Sequence, residues 1–152
     1  MSRWMFRLPA LCLLGGLLVS GAQAVDTATS KGAPDLTTVR AAIKAKNFDA
    51  ALAELKSMVV MYQHPDVYSL LGFALRKTGD KQQAMTYYRK ALDFDPAHKG
   101  ALEYQGELFL ELGQPAKARE NMTKLERLCP TGCEELEDLK EAIAHAPPAK
   151  GS

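Results

Sequence analysis

The stretch PDVYSLLGFALRKTGDKQQAMTYYRKALDFDP, residues 65–96, decides the fold. Tyr68, Leu71 and Leu75 recur at i, i+3 and i+7, and Ala84, Tyr88 and Ala91 keep helical spacing after the break at Thr78-Gly79-Asp80. That pattern predicts two amphipathic helices packed as an antiparallel hairpin. Pro65 suits a first helical turn, which needs no donor, and Gly79 suits a left-handed C-terminal cap. Asp95-Pro96 stops the second helix. Small residues at Gly72 and Ala84 let the two helices approach closely, while Tyr88 and Phe94 are expected to fill the gap to the next unit.

Working outward, the hairpin repeats. One fixed offset carries Tyr68 to Leu102, Gly72 to Gly106, Gly79 to Gly113, Ala84 to Ala118 and Pro96 to Pro130. A period of about 34 residues signals a solenoid of stacked helical hairpins, in which no unit buries its apolar face alone. Helices are predicted at Asp35 to Ala45, from Asn47-Phe48-Asp49 to about Tyr62, from Pro65-Asp66 to Thr78-Gly79-Asp80, and at Gln82 to Phe94, Ala101 to Leu112, Pro115 to Leu128 and Glu134 to about His145. No run of alternating β-branched residues bounded by turns predicts a strand.

These residues resemble the tetratricopeptide repeat family. Its pattern is met throughout residues 65–98 by Tyr68, Leu71-Gly72, Leu75, Ala84, Tyr88, Ala91 and Pro96. Residues 99–132 supply Leu102, Gly106, Phe109, Ala118 and Pro130, but place Gln105, Met122 and Leu125 where Leu, an aromatic and Ala are commoner. Residues 35–64 are degenerate, with Ala51, Leu55 and Met58 in place but Val39 where Gly belongs. The step from Ala51 to Ala84 is also one position shorter than the period. The resemblance implies an all-α, right-handed superhelix of about three hairpins. Glu134 to His145, charged along one side, looks like a terminal capping helix.

The resemblance also implies that the protein acts as a non-enzymatic adaptor, holding a protein or peptide partner in a concave groove lined by the first helix of each hairpin. Carried onto this chain, the groove positions are Asp66, Ser69, Phe73, Arg76 and Lys77 in the second repeat. The third repeat adds Glu103, Glu107, Leu110 and Glu111, and the first adds Leu36, Arg40, Ile43 and Lys44. Basic and acidic positions side by side suit a charged, partly apolar ligand, with a solvated face as the alternative. The degenerate first repeat also leaves a stacking surface through which copies of the chain would associate.

The termini read differently. Arg3 and Arg7 precede an apolar run from Leu8 to Val19 and the small residues of Ala22-Gln23-Ala24, the order of a secretory signal peptide cleaved after Ala24. The run is too short for a membrane span, and Cys12 is read as part of it. Residues 25–34 form a flexible leader and residues 146–152 a flexible tail. Without Arg3 and Arg7 the formal charge of +1 becomes −1, which gives no reason to expect nucleic acid or an anionic membrane. Export, to a bacterial periplasm or beyond the cell, is the expected localisation.

Cys129-Pro130-Thr131-Gly132-Cys133 departs from an ordinary repeat. In an oxidising compartment it reads as a disulfide clasp between the third hairpin and the last helix. Its short loop limits the entropic gain to about 3 kcal/mol or less. The alternative is a periplasmic thiol-redox or metal-handling protein using this pair, although such redox motifs favour two intervening residues. Met58, Met61 and His64 have the spacing of a copper site but fall at packing positions, so they read as core methionines with a helix-end histidine. His98 and His145 also lie near helix ends, where a partial positive charge is tolerable. Asn121-Met122-Thr123 is a glycosylation sequon within a helix. No nucleophile–base pair, phosphate-binding glycine loop or paired-carboxylate cleft is present; the Glu134-Glu135 and Glu137-Asp138 pairs read as a solvated face. Neither a cofactor nor a metal is expected.

Overall fold

A computed structural model describes residues 32–147. The expected signal peptide, residues 25–31 of the leader and residues 148–152 of the tail lie outside the described residues. Within them the chain forms seven helices and no strand: α1 (Thr37–Lys44), α2 (Phe48–Met61), α3 (Pro65–Lys77), α4 (Lys81–Phe94), α5 (Lys99–Glu111), α6 (Pro115–Leu128) and α7 (Glu134–His145). Helices α1 to α6 pack mainly on their sequence neighbours, as in an all-α superhelix, and α7 packs on α5 as well as on α6.

The hairpin turns are built alike. At the end of α3, Gly79 N–H donates to the Arg76 carbonyl at 3.1 Å and Asp80 N–H to the Leu75 carbonyl at 2.9 Å. This pair of hydrogen bonds requires a left-handed residue between the helices, and Gly79 takes φ +97. Gly113 repeats the arrangement with φ +69, and Lys46 repeats it in the first hairpin with φ 58. A side chain there costs roughly 1 kcal/mol that glycine does not. Asp80 then caps α4 by accepting from Gln83 N–H at 3.0 Å, while the Gln83 amide donates back at 2.5 Å.

The core runs along the helix stack. Val39, Leu55, Val67, Leu71, Ala84 and Tyr88 are buried in the first two hairpins. Leu102 and Leu125 join Leu136 and Leu139 of α7 in the third. Gly72 permits the close approach expected of it: a Cβ there would meet the Tyr88 ring at 2.6 Å and the Ala84 carbonyl at 3.2 Å. Two expected packing residues differ. Phe94 is 53% exposed and Met61 52%, because both stand at the last turn of a second helix, beyond the stacked faces. Phe94 still covers one side of Tyr68, with ring centroids 5.4 Å apart.

The last helix is more than a cap. Leu136 and Leu139 stand one full period after Leu102 and Gln105, so α7 takes the place of the first helix of a further repeat. Both leucines are buried against α5 and α6. Cys129 closes α6, Cys133 opens α7, and a disulfide joins them with Cα atoms 5.8 Å apart. Gly132, at φ +93, turns the chain between them.

Candidate interaction groove

The first helices α1, α3, α5 and α7 together line one face, and two clefts open there. A cleft of about 300 Å³ is bordered by Arg40 of α1, by Asp66, Ser69 and Leu70 of α3, and by Glu103 and Tyr104 of α5. His98 and Gly100 at the start of α5, and Glu134, Glu135 and Asp138 of α7, complete it. Further along the same face, Arg76, Lys77, Glu107, Leu110 and Glu111 border a second depression with Ala142.

The centre of the face is an ion-pair cluster. Arg76, its side chain 3% exposed, reaches from α3 to α5 and pairs with Glu107 and with Glu111, the latter at 2.9 Å. Lys81 adds a third contact to Glu111 at 2.9 Å. Burial alone pushes the Glu111 carboxyl upward, but Lys81 and Arg76 outweigh it and hold that carboxyl below its ordinary range. The Phe73 ring lies beside the guanidinium at 5.6 Å and the Lys77 ammonium at 5.2 Å, and packs on Tyr104 with centroids 4.8 Å apart. Aromatic faces attract both cations, so Phe73 organises this cluster.

The neighbouring cleft is organised by histidine. The Nδ1 atom of His98 accepts from Ala101 N–H at 3.0 Å, which leaves Nε2 to donate to Asp66 at 2.8 Å. One ring thereby caps α5 and ties it to the start of α3. His64 caps α3 in the same way, accepting from Asp66 N–H at 3.2 Å. These two rings therefore act as hydrogen-bond acceptors at helix N-termini. His145 does lie in the last turn of α7. Among the described residues no group of three or more His, Cys, Asp or Glu side chains could hold a metal ion.

Glu103 is the outlier of the groove. It is 7% exposed and has no hydrogen-bond or ion-pair partner among the described residues. Burial pushes its carboxyl up to about 8, aided by the nearby charges of Glu107, Asp138 and Glu135. Beside it, burial pushes the Tyr104 phenol up to about 12.

The tetratricopeptide repeat family model matches residues 65–98, the span that forms α3 and α4. The chain carries a tetratricopeptide repeat at those residues. Over 77 residues it is 34% identical to the BBSome complex member BBS4 of Bos taurus, which covers 51% of this chain and 15% of that protein. Over 121 residues it is 30% identical to the cellulose synthase 2 operon protein C of Komagataeibacter xylinus, covering 77% of this chain and 9% of that one. The chain thus spans a small part of either relative's length.

The groove positions inferred from the family resemblance have different fates in the repeat structure. Arg40, Lys44 and Lys77 are exposed, Asp66, Phe73, Glu107 and Leu110 are half-buried, and Glu111 keeps about a third of its side chain in solvent. Ser69, Arg76 and Glu103 are buried, as is Leu36, which joins the core. Arg76 is thus chiefly a tie between repeats. Tyr104, His98, Glu135 and Asp138 border the cleft although they lie outside the inferred positions. The signal for His98 lies one period earlier, at His64, and that for the α7 residues is the recurrence of Leu102 in Leu136. The two acidic pairs read as a solvated face are therefore partly groove-lining, because α7 stacks as a first helix. Asn121 is 2% exposed and donates its amide to the Leu102 carbonyl and to Gln105, both at 3.0 Å, which leaves no accessible nitrogen for a glycan.

Proposed function

We propose that this tetratricopeptide-repeat protein is a non-enzymatic adaptor that works after export and holds a segment of a partner protein in the groove of α1, α3, α5 and α7. The observation that carries this reading is the groove itself. Its first-helix residues form a charged and partly apolar channel, and among the described residues no element of the chain occupies it. Exposed Arg40, Lys44 and Lys77 supply positive charge at one side, Glu107 and Glu111 negative charge, and Phe73 and Leu110 apolar surface. Such a mixture favours a partly apolar segment with charges of both signs. The name of one relative, a complex member, fits a protein that works by association. The Cys129–Cys133 disulfide supports export, since such bonds persist outside a reducing cytosol. Among the described residues no helix is long and apolar enough to cross a membrane.

Site-specific photocrosslinking in the producing cell tests the reading. A photoreactive residue at Leu110 should give discrete protein adducts that weaken when Lys77→Glu is added. The same residue at Arg89, exposed on the second helix α4, should not. Identical adducts from both positions would overturn the assignment of the groove.

A further inference from the structure

Glu103 stands one helical turn before Glu107 on α5, and the two have opposite circumstances. Glu107 shares the buried guanidinium of Arg76 with Glu111. Glu103 is more deeply buried than either and has no cation of its own. A carboxyl placed there without a partner costs stability, whereas a neutral side chain would cost little.

The second observation is independent of charge. The hydroxyl of Ser69, on the facing turn of α3, is fully buried at the edge of the same cleft and has no hydrogen-bond partner among the described residues. Buried polar atoms are normally satisfied, so the unsatisfied Ser69 hydroxyl, bordering one opening with the unpaired Glu103 carboxyl, points to an absent polar partner. The wall around them is acidic: five carboxyl groups border the cleft against the single guanidinium of Arg40. Their spacing suits no metal ion. At about 300 Å³ the space is at the small end of ligand pockets, which suits one long side chain.

We propose that this cleft receives the arginine side chain of a partner segment, with the guanidinium held by Glu103 and by Asp138 of α7. The chain already shows how it holds a guanidinium: Arg76 lies between two α5 carboxylates beside an aromatic ring. Glu103, Asp138 and the Tyr104 ring repeat those ingredients one turn away. Arginine is preferred to lysine because its planar fork serves two carboxylates at once and stacks on an aromatic face.

Proton release is a consequence. The free Glu103 carboxyl stays protonated up to about 8, and a guanidinium seated on it stabilises the charged form. Affinity therefore rises as pH is raised toward that value. The groups facing Glu103 are Arg40 of α1, Asp66 and Arg76 of α3, Tyr104 and Glu107 of α5, and Glu135 and Asp138 of α7. His98 borders the cleft at the start of α5, and its bonds to Asp66 and to the α5 backbone keep it from competing for the site.

This inference rests on the adaptor reading, and the test separates the two. The isotope-labelled protein is titrated, by amide chemical shift, with an acetylated, amidated alanine-glycine hexapeptide carrying one arginine, and with its citrulline twin. The arginine peptide should move the Ser69, Gly100 and Glu103 amides and bind at least tenfold more tightly than citrulline. Glu103→Gln, which replaces a carboxyl that is protonated when free, should fold and weaken the arginine peptide at least tenfold. Asp138→Asn, on the exposed side of α7, should weaken it severalfold with the spectrum otherwise intact. Equal binding of the two peptides, shifts confined to other faces, or indifference to both substitutions would overturn the proposal. If Leu110 crosslinks form while the peptides fail in these ways, the arginine assignment falls and the adaptor reading stands. If the arginine peptide binds as described but Leu110 crosslinks are absent, the adaptor reading falls and the cation site stands.

Discussion

In the second repeat Tyr88, fully buried on α4, lies across Gly72 of its own hairpin. In the third repeat the residue one period on is Met122, and Leu139 of α7 lies against Gly106 instead. The two hairpins also differ beneath that contact. Leu71 and Tyr87 are replaced by Gln105 and Asn121, which hydrogen-bond to each other at 3.0 Å. The second repeat is therefore closed by its own aromatic, and the third by the helix that follows it. Repeats of one period need not have equal independence, and the third depends on α7 and on the Cys129–Cys133 bond that fixes where α7 begins. Leu139 thereby anchors α7, whose Glu134, Glu135 and Asp138 border the cleft.

The largest expected effect breaks the tie between these repeats. Arg76→Ala leaves Glu107 and Glu111 facing each other without their shared cation and should cost about 3 kcal/mol, read as a lower urea midpoint. Gly72→Ala drives a methyl group into the Tyr88 ring and the Ala84 backbone and should cost about 2–3 kcal/mol. Gly106→Ala meets the Leu139 side chain, Cγ included, but no backbone atom, and alanine favours the helix, so its net cost should be smaller, about 1 kcal/mol. Equal losses at the two glycines would mean that α7 holds the third repeat as rigidly as Tyr88 holds the second.

Ser69 and Glu103 occupy equivalent positions in the two repeats, and their difference predicts a pH dependence. The folded Glu103 carboxyl holds its proton up to about 8, well above the 4.5 of an ordinary glutamate. The stability that this proton supports is complete at low pH and is lost as pH rises through that interval. Glu103→Gln should therefore match the parent protein at acidic pH and be more stable by about 2 kcal/mol at alkaline pH, a figure reduced for the water that reaches the cleft. Thermal melts across the range check the sign. A more modest effect concerns the buried amide pair. Asn121→Ala should cost about 1.5 kcal/mol by orphaning the Gln105 oxygen and the Leu102 carbonyl. Adding Gln105→Leu should recover part of that loss, since it removes one of the stranded groups; denaturant midpoints of the single and double variants check both.

Much of the architecture was legible because it is local and periodic. Helical spacing, Pro65, Gly79 and Gly113 mark the hairpins, and each acts within one or two turns of the chain. The groove was legible only as a face. Its positions follow from which side of each first helix points inward, but whether Arg76 is free or buried depends on Glu107 and Glu111, which belong to the next repeat. The exposure of Phe94 and Met61 is hidden for the same reason, since periodicity gives a direction from the helix axis but not where the neighbouring helix ends. The contribution of α7 is visible in principle at Leu136, yet its acidic surface outweighs that signal.

Backbone preferences and a fixed period were enough to give the repeat, its turns and the approximate extent of the helices, with α1 beginning two residues later and α5 two residues earlier than expected. Only the tertiary structure decided which charged residues satisfy one another and which are left alone. Burial and opposite charge are properties of neighbours brought together from distant repeats. By that rule Arg76 became a tie between α3 and α5, and Glu103, one turn from it, was left facing an open cleft.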